Sequence, residues 1–325
     1  MHNVVLTERP SRQLSEQLRH HAAGIANVHV VASDRTDLKP MLEIADAILV
    51  RLFPVTQEVI SQATRLKVVG RHGVGFDTVD VAAATHRRIP VVFTPQANSD
   101  AVAEHAMMLM LAVSRRLVEV DETVRAGGWR EEPYPDGAEL FDKTVGIVGL
   151  GKIGRRVAHL CGHGFGMHVV VYDPFVPAAD FPDGIQPAET LKDLLRQADC
   201  VTLHVPLTPD NRHMINDEHL SYMKSGAILI NTARGGLVDH KALAHSLDRG
   251  HLAGAGLDVY EEEPFRSDSL LLALDKRKVT FTPHSAALTD RSMKRMAEMV
   301  CNGIFAVLSG EQPTNVANPE VWEVG

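Results

Sequence analysis

Three glycines with the spacing of a phosphate-binding loop are the residues whose pattern most clearly indicates chemistry. Gly149, Gly151 and Gly154 form G-x-G-x-x-G directly after an apolar, strand-like stretch. In such a loop the first glycine permits a tight turn, the second lets backbone amides approach a pyrophosphate, and the third allows a helix to pack on a strand. The amides of Lys152 and Ile153 would then lie at a helix N-terminus, where the helix dipole favours an anion.

An acidic residue follows this loop at the distance that a ribose contact requires. Asp173 closes the next predicted strand, about 20 residues after the third glycine, where a carboxylate binds ribose hydroxyls. A carboxylate there would repel a ribose 2′-phosphate, and the following residues 174–176 include no arginine that could accept one. The sequence therefore predicts a dinucleotide-binding unit with NAD as its cofactor. A dinucleotide-binding unit alone does not identify the reaction.

Short β-rich runs alternate with longer amphipathic stretches, which is typical of parallel sheets covered by helices on both faces. The strands predicted in the first block are Val4–Thr7, Val28–Ala32, Ala47–Arg51, Lys67–Gly70 and Val91–Thr94. Those predicted in the second block are Thr144–Val148, His168–Tyr172, Cys200–His204, Ala227–Asn231, Gly254–Val259 and Val279–Thr282. Helix N-caps are predicted at Ser11, Asp37, Thr56 and Asp80.

Between the two blocks lies a proline-free stretch, Ser99–Ala126, that predicts one long helix ended by Gly127 and Gly128. Such a helix would extend roughly 40 Å at about 1.5 Å per residue. Its position predicts a connector between two domains. A last helix is predicted at Asp290–Leu308.

Composition excludes several classes of protein. The 325 residues carry a net charge of −8, which disfavours sequence-independent binding to a nucleic acid backbone. A nucleic acid partner is therefore not expected. No apolar run is long enough for a membrane span or a secretory signal, so a membrane partner is not expected either. Cys161, Cys200 and Cys301 lie far apart in apolar contexts, which predicts buried thiols, no metal site and a cytoplasmic location.

Six sequence features, one of which is the glycine loop, follow one another along the chain. They are the segments 70–77 (GRHGVGFD), 98–106 (NSDAVAEHA), the glycine loop, 231–239 (NTARGGLVD), 257–264 (LDVYEEEP) and 282–284 (TPH). In this order they resemble the D-isomer-specific 2-hydroxyacid dehydrogenase family, which includes D-3-phosphoglycerate dehydrogenases and hydroxypyruvate reductases.

The resemblance implies an α/β fold with two doubly wound parallel-sheet domains, in which a Rossmann nucleotide domain is inserted into a flavodoxin-like substrate domain. The implied substrate domain comprises residues 1–98 and 289–325, and the implied NAD-binding domain comprises residues 99–288. A homodimer formed through the nucleotide domain and the long connector helix is also implied.

Carried over position by position, the resemblance makes Arg234, Glu263 and His284 the catalytic set. Oxidation of a 2-hydroxy acid needs a base for the hydroxyl proton, and histidine serves as base and acid near neutrality. Glu263 would orient the imidazole and favour its protonated form. Arg234 offers a planar, permanently charged fork for the substrate carboxylate.

The remaining site residues are also implied by the resemblance. The implied cofactor contacts are Gly149, Gly151, Lys152, Ile153, Gly154, Asp173, Val205, Pro206, Thr232, Ala233, Arg234, Asp258, His284 and Ala287. The implied substrate contacts are Arg51, Arg71, Val74, Gly75, Asn98, Arg234 and His284. Of these, the first two arginines would face the distal phosphate or acid of the substrate, and the amides of residues 74 and 75 would contact its carboxylate.

These features predict an NAD-dependent dehydrogenase for a small anionic 2-hydroxy acid. The 3-phosphoglycerate, hydroxypyruvate or glyoxylate and sulfonate types stay open, because Leu52–Pro54 and Ser285–Leu288 depart from the pattern of phosphoglycerate dehydrogenases. A phosphite dehydrogenase-like oxidoreductase and an NAD-sensing protein-binding module of the same family are the alternatives. The module typically carries tryptophan soon after the catalytic histidine, and Ser285–Thr289 has none.

Because the sequence ends soon after Asn318, serine feedback through a C-terminal extension is not expected.

Overall fold

The chain forms two compact units, here described from a computed structural model that covers residues 1–32, 35–130, 136–265, 267–275 and 277–323. One unit comprises Met1–Asn98 together with Leu288–Gly325, and we call it the split unit. The other comprises Ser99–Ala287, and we call it the central unit.

The split unit is built on a five-stranded parallel sheet. Its strands are β1 (His2–Leu6), β2 (Ala26–Val30), β3 (Ala47–Val50), β4 (Val68–Arg71) and β5 (Val91–Val92), in the order β2-β1-β3-β4-β5. This is the flavodoxin-like order, which changes direction between β1 and β3. Alternate side chains of β1 enter different apolar clusters, Val4 and Leu6 on one face of the sheet and Val5 on the other. The sheet is therefore covered on both faces, as the alternating pattern predicts.

The central unit is built on a seven-stranded parallel sheet. Its strands are β6 (Thr144–Val148), β7 (His168–Tyr172), β8 (Ile185–Pro187), β9 (Cys200–Leu203), β10 (Ile228–Asn231), β11 (Gly254–Leu257) and β12 (Val279–Phe281). Their order is β12-β11-β10-β9-β6-β7-β8, with the change of direction between β6 and β9. This extends the Rossmann order by one strand, and the predicted fold class is confirmed.

The helices connect these strands in sequence. In the split unit they are α1 (Arg12–Ala22), α2 (Leu38–Ile44), α3 (Gln57–Gln62), α4 (Val81–His86) and, near the end of the chain, α12 (Asp290–Leu308). In the central unit they are α5 (Ser99–Ser114), α6 (Leu117–Arg125), α7 (Lys152–His159), α8 (Leu191–Gln197), α9 (Asp217–Tyr222), α10 (His240–Asp248) and α11 (Leu270–Ala273). The predicted N-caps of α1, α3 and α4 accept a backbone N–H bond, whereas Asp37 caps no N–H of α2 and instead accepts the N–H of Ala32.

The prediction of one long connector helix was wrong. Helix α5 ends at Ser114, and Arg116 adopts a left-handed conformation with φ of 53° before α6 begins at Leu117. An L-residue in this region cannot continue a right-handed helix, so the chain changes direction there. Of the two predicted stop residues, Gly127 has the positive φ (82°) that commonly ends a helix.

The strand predictions were correct in position and missed one edge strand. The predicted bounds of β6 and β7 match the structure, and those of the other predicted strands differ by one or two residues at one or both ends. Strand β8, which was not predicted, pairs with β7 at the edge of the described sheet. Cys161, Cys200 and Cys301 are buried free thiols, as expected. Within the described ranges, the structure contains no helix with the length and apolar character needed to cross a membrane.

Candidate active site

The three predicted catalytic residues follow three neighbouring strands of the central sheet. Arg234 lies just beyond β10, Glu263 lies beyond β11, and His284 lies beyond β12. Since parallel strands present their carboxyl ends at one edge of a sheet, all three residues belong to the edge at which α/β proteins bind ligands.

Glu263 and His284 form a direct pair at this edge. Oε2 of Glu263 lies 2.6 Å from Nδ1 of His284, while Oε1 accepts the backbone N–H of Tyr260 at 3.0 Å. The carboxylate is therefore held through both oxygens. The His284 side chain is 33% exposed, so its other nitrogen, Nε2, is left to exchange a proton with a bound ligand.

The electrostatics of this pair favour an ionised carboxylate. Burial alone would raise the pKa of Glu263. The hydrogen bond with His284, the charge of that imidazole, the N–H of Tyr260 and the charge of Arg234 together outweigh burial and lower this pKa. Arg234 thus contributes to the same local field as the pair.

Asp258 organises the backbone that carries His284. It is fully buried, and its carboxylate accepts hydrogen bonds from the N–H groups of Ser285 (2.8 Å) and Ala286 (2.9 Å) and from the hydroxyl of Thr282 (2.6 Å). Nε2 of His105, on α5, lies 3.4 Å from the same carboxylate. Burial raises the pKa of Asp258, but these bonds prevail and lower it.

His284 itself adopts an unusual backbone conformation, with φ of 50°. Its N–H donates to the carbonyl oxygens of Asp258 (2.8 Å) and Thr282 (3.1 Å). A left-handed conformation costs a non-glycine residue about 1–3 kcal/mol and persists where the surroundings fix it. The bonds made by Asp258 and by this N–H are what fix it here.

Arg234 is positioned by a residue that the sequence did not single out. The buried amide of Asn231 donates to the carbonyl of Arg234 (2.9 Å) and accepts the N–H of Ala233 (3.0 Å). The guanidinium donates to the carbonyl of Ala233 at 2.7 Å. Asn231 is the first residue of the segment 231–239 and lies at the end of a predicted strand. This position at a strand end is the sequence feature that could have identified it.

The glycine loop has the predicted geometry. Gly149 has φ of 97°, and a Cβ added there would lie 2.8 Å from the carbonyl oxygen of His204 and 2.7 Å from the side chain of Val205. A Cβ on Gly154 would lie 2.0 Å from the carbonyl oxygen of Gly149, whereas one on Gly151 would meet nothing within 4 Å. The loop is therefore closed on its strand side and open at Gly151, as a backbone that accepts a pyrophosphate must be.

Asp173 joins the glycine loop to the end of β7. Its Oδ2 accepts the N–H of Leu150 at 2.8 Å and its Oδ1 accepts the N–H of Phe175 at 3.0 Å. The carboxylate is half-buried beside the loop. Lys152 and Ile153 occupy the first two positions of α7.

The other predicted cofactor residues flank this edge. Val205, Ala233 and Ala287 are half-buried, Pro206 is exposed and Thr232 is buried. Val205 and Pro206 follow β9, directly opposite the glycine loop across the point where the strand order changes direction.

In the split unit, Arg51 follows β3, Arg71 is the last residue of β4, and the other predicted substrate residues lie further along the chain. Arg51, Val74, Gly75 and Asn98 are half-buried. Arg71 is 7% exposed and donates from Nη1 to the carbonyl of His72. The guanidinium of Arg71 is therefore buried and not a solvated surface charge.

Glu8 is a further residue that the sequence reasoning missed. Its carboxylate accepts the N–H groups of Arg51 (2.7 Å), Leu52 (2.7 Å) and Phe53 (2.9 Å). No local motif marks Glu8, because its partners are more than 40 residues away in the sequence.

Comparisons with known proteins identify the relatives of this chain. A family model described as "D-isomer specific 2-hydroxyacid dehydrogenase, NAD binding domain" matches residues 107–286. The chain is 42% identical over 286 residues to D-3-phosphoglycerate dehydrogenase of Methanocaldococcus jannaschii, covering 87% of this chain and 54% of that one. It is 38% identical over 325 residues to glyoxylate reductase of Korarchaeum cryptofilum, covering 98% and 96%.

A solved structure shows the same fold over nearly the whole chain. The structure of D-lactate dehydrogenase from Aquifex aeolicus, complexed with NAD and lactic acid, matches with a TM-score of 0.87 and 31% identity. The match covers 97% of this chain and 99% of that one. The chain spans about half the length of the phosphoglycerate dehydrogenases that it matches.

Proposed function

The chain belongs to the D-isomer-specific 2-hydroxyacid dehydrogenase family, and from this premise we propose that it transfers a hydride between NAD(H) and a small anionic 2-hydroxy or 2-keto acid. The observation that carries the proposal is the Glu263–His284 pair at 2.6 Å, on the same sheet edge as Arg234 and the glycine loop. A proton-transfer group, a carboxylate-binding cation and a dinucleotide loop are the parts that this reaction needs.

The residues of the central unit fit NAD. The open backbone at Gly151 and the N-terminus of α7 would hold the pyrophosphate, and Asp173 would bind the adenosine ribose. Val205, Pro206, Thr232, Ala233, Asp258 and Ala287 are the further residues that we propose to line this cofactor site. When bound, NAD accepts a hydride from a 2-hydroxy acid or, as NADH, gives one to a 2-keto acid.

The proton is handled by His284. In the oxidative direction Nε2 takes the proton of the substrate hydroxyl, and in the reductive direction it returns one to the carbonyl oxygen. Glu263 keeps the ring oriented through Nδ1 and compensates the imidazolium charge. Arg234 binds the substrate carboxylate and stabilises negative charge on the reacting oxygen.

In the split unit, we propose that the backbone amides of Val74 and Gly75 bind the substrate carboxylate and that Asn98 contacts the bound ligands. Arg51 would attract a second anionic group on the substrate. Arg71 would act through the backbone, since its guanidinium is buried against the carbonyl of His72.

The substrate class is tested by turnover. We expect the purified chain to oxidise NADH with at least one of phosphohydroxypyruvate, hydroxypyruvate, glyoxylate, pyruvate and sulfopyruvate. The rate would be followed by NADH absorbance. A protein that binds NADH but turns over none of these acids contradicts the proposal and favours an NAD-sensing module.

The cofactor preference is tested by Asp173. We expect kcat/KM for NADH to exceed that for NADPH by at least about tenfold, because a carboxylate there repels a 2′-phosphate. Replacement of Asp173 by Asn should shrink this ratio, and equal values in the unaltered chain would refute the ribose argument. Asp193→Asn is a matched control, since the Asp193 carboxylate accepts the hydroxyl of Thr190 at the start of α8.

We further propose that the chain forms a homodimer through the central unit. No residue of α6 is buried in the described chain, and Leu117 and Val124, one heptad apart, are 53% and 57% exposed. This apolar face is long enough to pack against a second copy. A cytoplasmic location is proposed from the three buried free thiols.

A further inference from the structure

Tyr260 is a buried aromatic residue on the loop after β11, the loop that also carries Glu263. It is 7% exposed and belongs to an apolar cluster, where its ring stacks on that of Phe265 with the centroids 4.0 Å apart. A phenol hydroxyl in such surroundings needs a hydrogen-bond partner, whereas a phenylalanine would fill the same space without this need. The hydroxyl of Tyr260 therefore has to be accounted for separately from its ring.

This hydroxyl bridges the ends of two neighbouring strands. It lies 2.7 Å from the carbonyl oxygen of Thr282, just beyond β12, and 3.1 Å from that of Leu257, the last residue of β11. A phenol has one proton to donate, and the shorter distance makes Thr282 the main acceptor. Burial, followed by the charge of Asp258, raises the pKa of Tyr260, so the phenol stays protonated and remains a donor at neutral pH.

The carbonyl of Thr282 connects this hydroxyl to His284. The same oxygen accepts the N–H of His284 at 3.1 Å, and His284 is the residue with the left-handed backbone. The backbone N–H of Tyr260 meanwhile donates to Oε1 of Glu263 at 3.0 Å. Through its two donors, Tyr260 is thus bonded to both of the loops that supply the Glu263–His284 pair.

The loop that carries Arg234 also packs on Tyr260. Gly235 directly follows Arg234, and a Cβ added to this glycine would collide with the backbone carbonyl group of Tyr260. The close approach is possible because glycine has no side chain. The loops after β10, β11 and β12, which carry the three candidate catalytic residues, therefore all contact this one residue.

We propose that Tyr260 is a positioning residue that fixes Glu263 and His284 relative to each other, with its hydroxyl holding the carbonyl of Thr282. This role rests on the proposed function and deepens it. The hydroxyl acts through the backbone of the loop after β12, so its loss should slow proton transfer and leave the binding of ligands nearly unchanged.

The kinetic test is Tyr260→Phe, which keeps the ring and its stack on Phe265 but removes the hydroxyl. The keto acid used is the one among glyoxylate, hydroxypyruvate and phosphohydroxypyruvate that the unaltered chain reduces fastest. The rate constant of a single turnover, followed by NADH absorbance, should fall about fivefold, the effect of one net hydrogen bond. The dissociation constant of NADH and the KM of the keto acid should stay within about twofold.

Tyr222→Phe is the matched control. It is the same substitution in the same unit, and it removes a hydroxyl that donates to Glu218 within α9. We expect the single-turnover rate constant of this variant to be unchanged. An unchanged rate constant in Tyr260→Phe would overturn the proposal, and so would an equal loss of rate and of ligand affinity, which would mean general damage to the unit.

Amide hydrogen exchange separates this inference from the proposed function, because it requires no turnover. In Tyr260→Phe the peptide 282–287, which contains the N–H of His284, should exchange about threefold faster than in the unaltered chain, while peptides from β6 and β7 should not change. If no keto acid is reduced but this local difference is seen, the proposed function fails and the hold of Tyr260 on the loop stands. If a keto acid is reduced and exchange is unchanged or rises throughout the central unit, the proposed function stands and the role of Tyr260 is overturned.

Discussion

At the scale of single residues, the proposed reaction depends on His284, whose side chain and backbone are both held in one conformation. Its Nδ1 is bonded to Glu263, whose second oxygen is held by the N–H of Tyr260. Its backbone, at φ of 50°, is fixed by its N–H group, which donates to the carbonyl oxygens of Asp258 and Thr282. A proton-transfer group held in this way does not have to be ordered again when a ligand binds, which lowers the barrier to the chemical step.

The first prediction concerns this histidine. Replacement of His284 by Asn should lower kcat by about 10²–10⁴-fold, the usual contribution of a positioned general acid or base. The dissociation constant for NADH, measured by fluorescence titration, should change by no more than about threefold, because proton transfer is not needed for binding. The matched control is His168→Asn, which removes an imidazole from an exposed pair with Asp142 in the same unit. Retention of turnover by His284→Asn would place the proton donor elsewhere.

The residues that the sequence predicted well are those with local constraints. Gly149 needs a positive φ and Gly154 has no room for a Cβ, and both constraints are visible in the spacing of the loop. Glu8 could not be singled out in this way. Its partners are the backbone N–H groups of residues 51–53, far from it in the sequence, so its role is visible only in the fold.

At the scale of elements, the loop after β12 is held as a unit by one buried carboxylate. Asp258 lies at the end of β11 and accepts bonds from Thr282, Ser285 and Ala286, on both sides of His284. His105 reaches the same carboxylate and the Thr282 hydroxyl (2.9 Å) from α5. The loop therefore cannot move without breaking a network that joins a strand end to a helix.

The second prediction follows from the lowered pKa of Asp258. Replacement of Asp258 by Asn should cost roughly 1–3 kcal/mol of unfolding free energy at pH 7 and should lower kcat, because charge-assisted bonds to the loop are lost. A carboxyl whose folded pKa is lowered stabilises the fold above its unfolded pKa, about 3.9, and loses this effect as pH falls through the folded value. The stability difference between the two proteins should thus be full above about pH 5 and shrink below about pH 4. Urea unfolding at a series of pH values measures it.

Asp199 provides the matched control for Asp258. It also accepts a backbone N–H bond, from Thr144, and pairs with Lys224, but it lies at the amino-terminal edge of the same sheet. Asp199→Asn should reduce stability and leave kcat unchanged. Wild-type kcat in Asp258→Asn would show that the loop does not need this carboxylate.

The elements that the sequence missed have identifiable physical causes. Strand β8 has three residues and contains Pro187, which cannot donate to a ladder, so it is confined to the sheet edge and lacks a strand-like pattern. The break between α5 and α6 lies at Arg116, a residue type with good helix propensity. Its left-handed conformation is set by tertiary context, which overrides propensity.

At the scale of the whole molecule, the alternation of β and α signals was sufficient to predict two parallel sheets. What it could not supply was the order of the strands, because the order depends on which crossovers pack on which face. The orders found place the change of direction at the glycine loop in the central sheet and between β1 and β3, beside Glu8, in the split unit. Each sheet thus has one candidate ligand edge, and the proposed cofactor site occupies that of the central sheet.

The last prediction concerns assembly. Leu117 and Val124 lie on one face of α6, and a homodimer that covers this face would remove both side chains from water. Replacing them together by Glu should dissociate it, because an unpaired carboxylate buried in an interface costs several kcal/mol. Light scattering after size-exclusion chromatography should give twice the 35.5 kDa chain mass for the unaltered protein and 35.5 kDa for the variant.

The control is Val30→Glu, at a residue 44% exposed on the edge strand β2 of the split unit, and this variant should stay dimeric. An unaltered chain that elutes at 35.5 kDa would contradict the dimer, and a variant that stays dimeric would place the interface on another face of the central unit.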